Sequence, residues 1–181
     1  MEVENPCWSV QVKDHFPDGS KVDIWAYMRC EMLEAPQPVP LEVQRDGPQV
    51  DFNPTAFSAI VVSSRMADII ESVSPNEIQR IPALIDAPGD WEVLNILSCV
   101  DCIDRERSII QYCEPDHPTR PNKPRAIHRL VLDEAKAEGH HIFHPKDWEV
   151  AEIVSEEVKM ALDACNITGV EYWPIEISGS F

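Results

Sequence analysis

Cys99, Cys102, Cys113 and His117 follow the spacing Cys-x2-Cys-x10-Cys-x3-His. Three soft thiolates and an imidazole this close in sequence are what a tetrahedral zinc site uses. Two features weigh against zinc. The strand-like run Asn95–Cys99 makes Cys99 a small buried hydrophobe, and no glycine-bearing knuckle surrounds the pair. The cluster His140-His141-Ile142-Phe143-His144 offers a second set of donors. On a strand, His140 and His144 share one side with Ile142, and the glutamate of a helical two-histidine motif is missing, so a partly exposed strand is expected there. Paired carboxylates are too common in this chain to diagnose anything. No glycine-rich phosphate loop, nucleophile elbow or local Cys-His signature is present, and glycine occurs only six times, too rarely to build a phosphate cradle. The loop His117–Arg129 is basic, but its three prolines make it a stiff exposed connector first. The chemistry therefore points to a protein that binds rather than catalyses, with no catalytic residues, metal or cofactor. The alternatives are a zinc-binding protein or enzyme built on Cys99, Cys102, Cys113 and His117, and an acidic adaptor or structural protein.

Charge narrows the partners. The 181-residue chain carries 32 acids against 15 Lys and Arg, a formal charge of −17. Such a field repels phosphate backbones and anionic lipid and favours a basic protein surface, so neither nucleic acid nor membrane is expected as a partner. The charge is uneven: 18 acids and 6 bases lie in residues 1–104, 3 and 6 in residues 105–129, and 11 and 3 in residues 130–181. No run approaches the ~18 apolar residues of a membrane span, and the first residues lack the basic and apolar regions of a signal peptide, which predicts a cytoplasmic protein with free thiols.

The elements that must position these groups read as α+β, with short helices packed on a mostly antiparallel or mixed sheet. Trp8–Val12 alternates like a strand, and the turn Phe16–Ser20 leads to Val22–Tyr27, predicting a hairpin. The proline-rich Ala35–Pro40 and the turn residues that follow mark a boundary, with residues 1–50 as an N-terminal β/loop lobe, independent or joined to the α+β domain over 51–181. Strand-like Ile60–Val62 runs into Ser63 or Ser64, a cap for a helix with Met66, Ile69, Ile70 and Val73 on one face. The pattern repeats 92 residues later, with Val154 on Val62, Ser155 on Ser63, Pro174 on Pro82 and Ile177 on Ile85, predicting two similar strand-helix-strand units. A closer echo pairs Asp90-Trp91-Glu92 with Asp147-Trp148-Glu149, each expected at the mouth of a strand.

Asp51-Phe52, Ile60–Met66, Ile78–Ala83, Trp91–Ile96, Asp101–Ser108, Ile127–Leu132, Ile142–His144, Val154-Ser155 and Thr168–Pro174 together are similar, in order and spacing, to a known family. They resemble the myxobacterial-type immunity proteins of bacterial polymorphic-toxin systems, over roughly residues 50–177. Asp104–Ser108 and Thr168-Gly169 are the most family-like pieces, whereas Cys99, Cys102 and the loop Cys113–Arg125 depart from the pattern. The resemblance implies a cytosolic, non-enzymatic protein that binds and neutralises a cognate toxin, and it brings no catalytic residues with it. A nuclease with a basic groove would suit the acidity. An aromatic anchor among acids is the expected form of such a contact, which singles out Asp90, Trp91, Glu92, Asp147, Trp148 and Glu149 as candidate partner-binding residues.

Overall fold

The computed structural model describes residues 8–55 and 59–179. Cys7 lies outside them. The first half builds a mixed six-stranded sheet from β1 (Ser9–Val12), β2 (Val39–Arg45), β3 (Phe52–Pro54), β4 (Ile60–Ser63), β5 (Ile78–Leu84) and β6 (Trp91–Ile96), in the order β1-β2-β5-β6-β4-β3. Only β2 and β5 pair in parallel. The edge strands β1 and β3 approach each other, so the sheet curls.

Period-2 alternation gives this sheet two apolar faces. Val61, Ile81, Trp91 and Val93 join Trp8, Val10, Val12, Val39 and Leu41 inside the curl. Ile60, Val62, Ile78, Leu94 and Ile96 point the other way, toward helix α1 (Ser64–Val73), which crosses from β4 to β5. Ser63 caps α1 by accepting from the Met66 N–H, as its position before the periodic residues predicts.

The second half is made of smaller pieces: β7 (Cys99–Val100), β8 (Ile109–Tyr112), β9 (Pro124–Arg129), β10 (Val131–Asp133), the one-turn α2 (Glu134–Ala137), β11 (Ile142–Pro145), β12 (Ile153–Val154), α3 (Glu156–Ala164) and β13 (Glu176–Ser178). They form the sheets β12-β11-β7, β10-β13 and β8-β9. Val100, Cys102, Leu132 and Phe143 make their core. Helix α3, capped by Ser155 at the Val158 N–H, packs Val158 and Leu162 into the cluster under α1. Among the described residues no helix is long and apolar enough to cross a membrane.

The α+β class is as expected, but several local readings change. The Phe16–Ser20 turn is present, closed by the Phe16 and Gly19 N–H bonds and a His15–Lys21 bridge. Its second arm is not a strand: residues Ile24–Met28 wind into a 3-10 helix because Asp23 accepts from the Trp25 N–H. β1 pairs instead with β2, beyond the proline-rich connection, and β2 continues to β5, so residues before 50 contribute two strands to the main sheet. Pro82 is tolerated inside β5 because β2 joins only at Ala83 and Leu84. The two strand-cap-helix units are alike in Ser63 and Ser155, yet β5 returns to the large sheet while β13 pairs in parallel with β10. Of the histidine cluster, His140 and His141 are partly exposed as expected, whereas β11 itself is buried along its length, with β7 and β12 paired to it.

Gly169 shows how tightly the halves are joined. Its φ is +86°, and an added Cβ would meet the Phe52 carbonyl oxygen at 2.8 Å and Val50 Cβ at 2.8 Å. Gly169→Ala adds left-handed strain to a backbone clash, so a loss of roughly 2 kcal/mol or more is expected in urea unfolding. Wild-type stability in that variant would contradict the docking described here.

Candidate functional site

The carboxylate of Asp51, buried in the approach to β3, gathers four groups. It accepts from Ser63 Oγ at 2.7 Å, Arg65 Nε at 2.7 Å, and the N–H and Oγ1 of Thr168 at 2.9 and 2.8 Å, while its own N–H donates to Thr168 Oγ1. Arg65 adds a second bond through Nη2, and its Nη1 reaches the Cys165 carbonyl. Burial alone would raise the Asp51 carboxyl, but the bonds from Arg65, Ser63 and Thr168 hold it well below the usual carboxylate range. It is a fixed anion that joins β3, the start of α1 and the turn after α3.

Two open clefts flank the turn beside this hub. One, of about 310 Å3, lies between Asp51, Arg65, Thr168 and the ridge Gly89-Asp90-Trp91. The other, of about 350 Å3, lies across the ridge among Ser64, Arg80, Pro82 and Glu92. Asp90 and Trp91 of the first Asp-Trp-Glu triplet are thus a wall shared by both clefts, Glu92 lines the second alone, and Trp91 and Glu92 open β6 as expected. Its members do different things. Asp90 is exposed, and its carbonyl accepts from the Ser64 N–H. Trp91 is core: it is 8% exposed, its ring lies 4.6 Å from that of Trp8, and its Nε1 donates to the Pro88 carbonyl. Glu92 is held in two bonds by Arg80, whose guanidinium also meets Glu71 and Asp68 of α1. The Arg80 bonds depress the Glu92 carboxyl despite its partial burial, and they raise the guanidinium in turn.

The second triplet is not at a strand mouth. Asp147 has φ +73° and is the third residue of a turn that the Trp148 N–H closes onto the Pro145 carbonyl. Glu149 accepts from the Asp147 N–H. The Asp147 carboxylate takes Lys123 Nζ at 2.6 Å and Arg105 Nη2 at 3.1 Å, and these bonds lower it, Lys123 foremost. The basic stretch therefore folds onto the second triplet and neutralises it. Trp148 is half-buried, with exposed Val150 close behind. Among the described residues no hydrogen bond or ion pair links the two triplets.

The thiol and imidazole set is not assembled. Cys102 and Cys113 are buried, Cys99 is exposed, and His117 Nδ1 accepts from the Thr119 and Arg120 N–H groups of its own loop. The expected burial of Cys99 is reversed: β6 ends at Ile96, and the new alternation turns Val100 and Cys102 inward. Burial pushes the Cys102 thiol up to about 11. Among the described residues no group of three or more His, Cys, Asp or Glu side chains could hold a metal ion. The histidine cluster is structural as well. Glu77 accepts from the His141 and Ile142 N–H groups and from Ser98 Oγ, and pairs with His140 Nδ1 at 2.8 Å. His144 is buried, which lowers it, with Nδ1 at the Ala151 carbonyl.

Reading along the chain missed the Asp51, Arg65 and Thr168 hub, because the partners lie up to 117 residues apart. The hub has an acid-side signature. A carboxylate held below its ordinary 3.8 stabilises the fold above about pH 4, and that contribution is lost as pH falls through the lower folded value. Asp51→Asn is therefore expected to be less stable at pH 7 and to lose less stability between about pH 4 and pH 2 than the parent. Parallel acid limbs for the two proteins would refute this role.

The model of a family described as Immunity protein family (Imm11) matches residues 10–176. A comparison with curated proteins finds no match.

Proposed function

We propose that this chain, which belongs to the Immunity protein family (Imm11), protects its cell by binding a cognate protein toxin and covering the toxin's active site. The family match over residues 10–176 is the observation that carries the reading. The arrangement of charge supports a binding mode. Asp51, Asp68, Glu71 and Glu92 around α1 are tied to Arg65 and Arg80, while Asp90 stands exposed on a ridge between two clefts. An excess of negative charge steers a basic surface into contact and raises the association rate, and salt weakens that steering. A nuclease, whose substrate groove is basic, is the toxin class this charge fits.

Of the six candidate contact residues, Asp90 is the one the geometry favours. Trp91 and Glu92 support it from behind, and Trp148 and Glu149 offer a secondary contact beside an Asp147 whose charge Lys123 and Arg105 balance. The reading places the protein in the cytoplasm of the toxin-producing cell or its siblings.

The test is co-expression with the product of the adjoining gene. This chain is expected to co-purify with that protein and to restore growth, and failure of both would overturn the reading. With the complex in hand, Asp90→Lys is expected to slow association several-fold at low salt, to flatten the salt dependence, and to leave thermal stability unchanged. An unchanged association rate would move the contact away from this ridge.

A further inference from the structure

Residues 168–178 form a strap fastened at both ends. At its start Thr168 is bonded to Asp51, Gly169 lies on Phe52 and Val50, and Val170 packs against the cluster under α1 and α3. At its end Ile175 packs against the core of the second half, β13 pairs with β10, and Glu176 is bonded by Arg129. Between these anchors Tyr172 lies beside α3, with Lys159 Nζ 5.7 Å from its ring centre. Trp173 does the opposite. It is 82% exposed, more than any other large apolar side chain among the described residues.

Single exposed apolar side chains are common, but this one has three further properties. Pro174 confines the backbone of Trp173 to extended conformations, so little ordering remains to be done when the indole is buried by a partner. Met160 of α3, next in sequence to Lys159, is 59% exposed, a second large apolar side chain left open to solvent. Residues 156–176 carry five carboxylates against Lys159, so the stretch of chain that bears the indole is acidic. Tryptophan is enriched among the few residues that carry most of the energy of a protein–protein contact. The other described tryptophans fit less well: Trp8 and Trp91 are stacked in the core, Trp148 is half-buried in its turn, and Trp25 makes contacts of its own.

We infer that Trp173, displayed on the strap between Gly169 and β13, is the aromatic anchor that seats this protein on the basic face of its cognate toxin. The inference rests on the immunity reading and locates its principal contact. The strap begins at Thr168, which also walls one of the clefts beside Asp90, so anchor and steering charge share one continuous stretch of structure.

Calorimetric titration of the full chain with the adjoining gene's product tests this. Trp173→Ala is expected to bind at least about 30-fold more weakly, chiefly through faster dissociation, while Trp173→Phe keeps most of the affinity. Trp25→Ala is expected to bind like the parent. All three variants should melt as the parent does, since neither side chain is core. If the parent binds and Trp173→Ala binds within twofold of it, the anchor assignment is overturned while the immunity reading stands. If the parent does not bind, both fall. A Trp173→Ala variant that only converts a dimer to a monomer would show that the indole serves a second copy of this chain, and would also overturn the assignment.

Discussion

A carboxylate buried beside a sheet edge is costly unless every lone pair is met, and Asp51 meets the cost with a two-bond guanidinium, a serine hydroxyl, and the hydroxyl and N–H of a threonine. The donors come from two distant parts of the chain. Ser63 ends β4 and caps α1, Arg65 lies in the first turn of α1, and Thr168 follows α3. Satisfying one anion therefore fixes the start of one helix against the end of the other and sets where the strap departs. The second half relies on a comparable device at Glu77, which burial would raise but which the His141 and Ile142 N–H bonds lower, and which holds the start of β11 to the turn before β5.

These anchors also explain how a chain of charge −17 stays compact. Arg65, Arg80, Arg105 and Lys123 each sit at a junction and meet carboxylates from distant elements. These bases are used in ion pairs that join elements, and the excess acid acts on partners through its long-range field. Single exposed pairs contribute little to stability, so the weight falls on the pairs whose carboxylate is largely buried, Asp51 with Arg65 and Glu92 with Arg80.

Local patterns carried much of this. Helix α1 was legible from Met66, Ile69, Ile70 and Val73 with a serine before them, and α3 from the same signature at Ser155, because capping and 3.6-residue periodicity act over a few residues. β2 was not legible: Pro38 and Pro40 read as loop, and its strand character comes from pairing with β1 and β5. The Val22–Tyr27 run looked like a strand, but Asp23 bonded the backbone and turned it into a 3-10 helix. At the candidate site, identical Asp-Trp-Glu letters took two structures, since Pro145 and a left-handed Asp147 close a turn where Asp90 leads into a strand. The exposure of Trp173 had no local signal at all, because an aromatic in a strand-like run reads the same whether it faces core or solvent.

If the strap and the Asp90 ridge form one partner-binding face, a bound toxin shields both together. Hydrogen–deuterium exchange of the full chain, free and saturated with the adjoining gene's product, reads this out. New protection is expected across residues 168–176 and 88–92, with the β8–β9 hairpin unchanged. Protection centred on that hairpin, with the strap and the ridge exchanging as in the free protein, would contradict it.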